Sequence, residues 1–166
     1  TVSIKDRDEM IGGEAFTLLV PSDWRVDGGV VWRLHPTMPA TIALRAHPVR
    51  GLEQLEFFPS LAFVYGDGLG PDTEFPVGAS YLGNEVRQAL RDAIECLKQI
   101  VFPRFRFSTG AQLARDEALP KLGNAGRVRL QYDVNEQPVE EDLYCVLTTT
   151  SLPASGKTTQ IADHIV

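Results

Sequence analysis

Hydrophobic and polar positions alternate with a period of two along most of this chain, and one stretch breaks that rhythm for a period near 3.6. The first alternating stretch, EAFTLLVPSDW, predicts a strand over Ala15–Val20, stopped by Pro21 and a turn on Ser22 and Asp23. RVDGG reads as a second turn, and VVWRL as a second strand carrying Trp32. TIALRAH predicts a third strand, with Ile42, Leu44 and Ala46 on one side and Thr41, Ala43 and Arg45 on the other. A short fourth follows over Leu52–Phe58. Pro59–Gly83 is crowded with glycine and proline and reads as a long loop that keeps Phe63, Tyr65, Phe75 and Tyr81.

The change of period comes at NEVRQALRDAIECLKQIVFP. Val86, Leu90, Ala93, Ile94, Leu97 and Val101 fall on one helical face, widened by Ala89, Cys96 and Ile100. Asn84 is the expected N-cap, and Pro103 the expected stop. Alternation then returns. PRFRF reads as a strand with arginines on one side and phenylalanines on the other, and FRFSTGAQLARDEALP holds one extended stretch or two short ones. KLGNAG is a turn, RVRLQYDV a strand, NEQP a turn and VEEDLYCVLTTT a strand rich in β-branched and aromatic residues. Strands, one long helix, then more strands indicate an α+β domain with a largely antiparallel sheet packed against that helix. Residues 1–13 are expected to be a flexible polar segment and 14–166 a single domain.

At 166 residues the chain is long enough to hide about 70% of its unfolded surface. The formal charge of −6, with scattered basic residues, argues against nucleic acid as a partner, since a phosphate backbone asks for a concentrated basic surface. No apolar run is long enough for a helical membrane span. Two cysteines, Cys96 and Cys145, give no zinc-ligand spacing; they read as one disulfide or as two buried thiols. The compartment, cytoplasmic or exported, stays open.

The closing SLPASGKTTQIADHIV comes within one residue of the phosphate-binding loop G-x-x-x-x-G-K-[ST], in which backbone N–H groups wrap the phosphates and the lysine meets their charge. Gly156, Lys157 and Thr158 match, but Ser151 stands at the first glycine. Such a loop leaves a parallel strand, whereas the strand here follows NEQP directly and is expected to run antiparallel to its predecessor. Pro153 to Gly156 makes an ordinary hairpin connection, and nothing after Thr158 supplies an aspartate suited to magnesium. IADHIV is therefore read as a returning strand, and nucleotide binding as the disfavoured alternative. His35, His47 and His164 are too scattered to suggest a metal site, and Glu140, Glu141 and Asp142 lack calcium-loop spacing and read as a solvated strand end. The sequence offers no catalytic constellation and implies no cofactor.

The F-x-x-x-x-P-x-x-W pattern of FTLLVPSDW (Phe16, Pro21, Trp24), followed by strands, a loop and one amphipathic helix, resembles the PsbP-like group. EAFTLLVPSDWRVDGGVVWRL, QLEFFP and YLGNEV are similar to uncharacterised bacterial proteins with the same W-x-x-x-GG arrangement. The resemblance spans about Glu14 to Leu147. It implies an α/β/α sandwich, action by docking to proteins and no shared catalytic set. It also implies a second helix over the sheet, so the chain is expected to be short at its C-terminus, and the uncovered sheet face could pair with a second copy. The resulting functional expectation is a non-enzymatic binding or protein-interaction domain that presents Phe63, Tyr65, Phe75 and Tyr81. The second reading is a small-molecule carrier or enzyme with a pocket between the 59–83 loop and the sheet.

Overall fold

The computed structural model describes residues 1–6, 12–33, 35, 38–66, 69–70, 74–151 and 157–165. They form two compact units, one of Thr1–Ser60 with Ile165–Val166 and the other of Leu61–His164. The architecture is α+β with mostly antiparallel strands and one helix packed on the main sheet, as the change of period predicts.

In the first unit, β1 (Val2–Lys5) pairs antiparallel with β2 (Glu14–Leu18), Ile4 lying opposite Phe16. β3 (Trp24–Trp32), β4 (Ala40–Pro48) and β5 (Leu55–Phe57) form an antiparallel sheet. The alternation in TIALRAH is realised, with Leu44 and Ala46 buried and Arg45 exposed. RVDGG, expected as a turn, instead lies inside β3. Its glycines do not bend the chain back; they let β4 come close. A Cβ on Gly28 would sit 2.2 Å from the Ala43 carbonyl oxygen, so only glycine permits that approach. LEQLEFF yields just the three residues of β5, because Leu52 stays exposed in a bend.

In the second unit the strand order is β7 (Ser80–Tyr81), β8 (Asn84–Val86), β6 (Leu61–Gly66), β12 (Lys157–Ile165), β11 (Gln137–Ser151), β10 (Ala125–Val134) and β9 (Gln112–Ala118). β6 and β8 run parallel, a departure from the antiparallel rule. The first part of the expected long loop is thus a central strand. Phe63 and Val64 are both buried, so β6 is covered on two faces and shows none of the alternation by which a half-exposed strand is recognised. The expected returning strand exists as β12, beside β11.

The helix α1 covers residues 93–105, starting eight residues later than expected and running through Pro103. Asn84, expected as its N-cap, is buried in β8. Asp92 caps instead: its carboxylate accepts from Glu95 N at 2.8 Å, while the Asn124 side-chain oxygen accepts from Ala93 N at 3.0 Å. Pro103 is tolerated because Leu97–Val101 forms a π turn, in which Phe102 N reaches back to Leu97 O. The wider turn relieves the clash a proline ring makes with the carbonyl four residues before it. PRFRF is consequently helix and turn rather than strand, and Arg106 is the residue that ends the helix.

Ala93, Cys96, Leu97, Ile100 and Val101 are buried on α1, which packs against β9, β10 and β11. Val128, Leu130, Leu143, Cys145 and Leu147 supply the buried side of the sheet. Each large side chain so covered contributes roughly 1.5–3 kcal/mol. Both cysteines are free thiols in this layer. Gly126, expected in a turn, lies in β10 beneath the helix, where a Cβ would come 2.7 Å from Ile94 Cγ1.

Candidate functional site

The β7–β8 hairpin joins the end of the stretch expected to be a loop to the first residues of the expected helix, Asn84–Val86. Ser80 lies opposite Glu85 and Tyr81 opposite Asn84, leaving Leu82 and Gly83 as a two-residue turn. Both have positive φ, 50° and 79°, the signature of a type I′ turn. Asparagine and glycine suit such positions, whereas a leucine there strains the backbone and is rare. Leu82 is also 56% exposed, so the strain is not offset by burial. The other two-residue turn, Asn135 and Glu136 with φ of 50° and 64°, carries polar residues, as turn chemistry favours.

In the residue before Leu82, the Tyr81 ring meets Phe75 edge to face, with centroids 5.1 Å apart. Lys157 Nζ lies 5.0 Å from the centroid of Tyr81, close enough for a cation–π contact. Asn84 Nδ2 donates to Leu82 O at 3.3 Å and supports the turn from inside. The turn thus exposes an apolar side chain, and the residue before it, Tyr81, is engaged by Phe75 and by an ammonium group.

Of the residues singled out in the sequence, Phe75 and Tyr81 are brought together, half-buried. Phe63 is not with them at the surface. It is 2% exposed, a core residue of β6 with the Arg87 guanidinium 5.7 Å from its ring centroid. Tyr65 is half-buried in β6, opposite Thr158. Lys157 and Thr158 are the first residues of strand β12, where a phosphate-binding loop would open a helix. Gly156 lies outside the described residues, as does the side chain of His164. His47 bonds Asp27 through Nε2 at 3.0 Å. The sequence signal for Leu82 is the spacing Y-L-G-N, in which Leu82 and Gly83 lie between the paired Tyr81 and Asn84.

A second set of charges lies on β10 and β11. The run Glu140–Asp142 is not a solvated strand end: its alternate residues face opposite sides of the sheet, with Glu141 opposite Leu130 on the helix side. Glu141 is buried and accepts from Arg106 Nε at 2.8 Å. Burial, reinforced by the Glu141 carboxylate, pushes the neighbouring Tyr132 hydroxyl up to about 12. On the other side, Asp142 accepts from Arg129 Nε at 2.7 Å, and this bond holds its carboxyl below the usual range. These groups are engaged with one another, which suits joining elements better than binding a ligand. Among the described residues no group of three or more His, Cys, Asp or Glu could hold a metal ion, and no helix is long and apolar enough to cross a membrane.

No protein-family model, curated protein or solved structure matches this chain.

Proposed function

We propose that the protein is a non-enzymatic binding domain that docks onto a protein partner through the β7–β8 hairpin, with Leu82 as the anchor. The observation that carries this reading is the exposed leucine held at φ of 50° where asparagine would be easier. Backbone strain of this kind costs on the order of 1–3 kcal/mol and persists where it serves a purpose. The partner surface that fits is an apolar pocket that receives the exposed Leu82 side chain. The finer fold assignment, a PsbP-like sandwich, is likewise a proposal; it rests on Phe16 in β2, Pro21 after it and Trp24 opening β3.

Leu82→Asn separates function from folding. Asparagine suits the turn, so the melting temperature is expected to hold or rise while docking is lost. Quantitative crosslinking in the native cell extract, comparing wild type, Leu82→Asn and the exposed control Leu122→Asn, reads the docking. The proposal expects adducts that survive the control and vanish with Leu82→Asn. Adducts indifferent to residue 82 would overturn it. Sedimentation of the purified chain over a range of concentrations shows whether the partner is a second copy.

A further inference from the structure

In the second unit β9 ends the strand order, paired with β10 on one side and, among the described residues, with no strand on the other. Such an edge presents a row of unpaired backbone N–H and C=O groups on which another strand can pair. Its sequence, QLARDEA, is exposed at every position but Glu117, which is half-buried. On the sheet face away from α1, Arg115 lies opposite Arg129 and Glu117 opposite Arg127. Arg127 Nη2 donates to Glu117 Oε2 at 2.6 Å, and Arg129 is held by Asp142 and Glu140. Arg115 is the exception. It faces a like charge and, among the described residues, meets no carboxylate.

Like charges directly opposite one another across a ladder are destabilising. The complementary charge lies two residues along the same strand. When β9 of a second copy pairs antiparallel on the free edge, with the two-fold axis through Asp116, each Arg115 faces Glu117 of the other copy and each Ala114 faces Ala118. Glu117 stays 41% exposed while bonded to Arg127, and a carboxylate has acceptor sites for two guanidinium groups. The two Asp116 side chains meet at the axis on the opposite face, each already paired with Lys98 of its own helix. Neighbouring registers lack this match: an axis through Arg115 or Glu117 sets a charge against itself, and one through Ala114 sets Arg115 against Leu113. We propose that the chain forms a two-fold dimer through its β9 edges in the register centred on Asp116. The register shift at Ala114 ends the straight edge there, so the contact is short and the dimer reversible. β7 and β8 lie at the other end of the strand order, so the inference does not rest on the hairpin.

Sedimentation of the purified chain, over a concentration series reaching about 1 mM, is expected to show a reversible dimer. Arg115→Glu sets carboxylate against carboxylate at both symmetry-related contacts, and Glu117→Arg sets guanidinium against guanidinium. Each variant alone is expected to dimerise at least about tenfold more weakly than wild type. An equimolar mixture of the two variants restores opposite charges at both contacts and is expected to dimerise as wild type does. Leu82→Asn is expected to leave the dimer unchanged, and amide exchange in β9 to slow as concentration rises. A wild-type chain that stays monomeric throughout overturns the proposal. So does a dimer indifferent to either single variant, a mixture that remains monomeric, or a dimer lost with Leu82→Asn. If Glu117→Arg does not fold, as circular dichroism shows, wild type and Arg115→Glu decide: a dimer that survives Arg115→Glu, or one that leaves β9 exchange unchanged, refutes the edge contact.

Discussion

Glu141 and Arg106 form a fork that ties the middle of β11 to the residue ending α1: Nε reaches one carboxylate oxygen at 2.8 Å and the other at 3.0 Å, and Nη2 adds a third contact at 2.8 Å. The two side chains are 6% and 11% exposed, so the pair is desolvated on both sides. Such a pair adds little over a hydrophobic replacement, yet removing one partner strands a charge in the interior. Glu141→Ala is therefore expected to cost about 3–5 kcal/mol in urea denaturation. The double variant Arg106→Met with Glu141→Leu is expected to recover most of that loss. A double variant as unstable as the single one would show that the fork, rather than the stranded charge, carries the stability.

Tyr132 shares this interior site, and its hydroxyl is raised from an ordinary value near 10 to about 12. The folded chain holds this proton more tightly than the unfolded chain. The stability it contributes is fully present below pH 10 and is lost as pH rises toward 12. Absorbance titration at alkaline pH should show a tyrosinate step near pH 12, together with a falling melting temperature across that window. In Tyr132→Phe the late step should vanish and the fall should flatten.

Gln160 acts on Leu90 as a strand neighbour would. Its side-chain oxygen accepts from Leu90 N at 2.9 Å and its amide nitrogen donates to Leu90 O at 2.8 Å, both buried. This clamps the segment between β8 and α1 onto β12. Gln160→Ala leaves two buried backbone groups without that partner, at about 1–3 kcal/mol for each. Hydrogen exchange at the Leu90 amide is the direct readout. It is expected to accelerate sharply in Gln160→Ala, and protection equal to wild type would refute the clamp.

The alternation of β4, β10 and β11 was legible because one face of each is covered and the other is wet. β6 was not, since burial of both Phe63 and Val64 removes the period that marks a strand. The helix start was misplaced for a related reason. Val86 and Leu90 fit the helical period but are buried by strand pairing and by the Gln160 clamp, and apolar spacing does not distinguish those causes of burial. Glu141 shows the converse: a run of three acids reads as solvated until pairing with β10 divides it between two faces. Leu82 does not stand out in the sequence because turn chemistry points to glycine and asparagine, and leucine breaks that preference.

Gly28 and Gly78 isolate what a close backbone approach is worth. Their φ values are nearly the same, +94° and +92°, so any side chain meets similar backbone strain at either position. Their surroundings differ. An added Cβ at Gly78 has nothing within 4 Å, whereas at Gly28 it would lie 2.2 Å from Ala43 O and 2.9 Å from Leu44 Cα. These are backbone atoms of β4, which cannot swing aside as a flexible side chain can. Gly78→Ala is expected to cost about 1–2 kcal/mol, the strain alone. Gly28→Ala should cost that and a further amount of similar or larger size, as β3 and β4 part at the register pair Gly28 and Leu44. Chemical denaturation of the two variants measures the difference, and amide exchange along β4 locates it. Equal costs would mean that the two strands can separate there without penalty and that glycine in β3 serves conformation rather than contact.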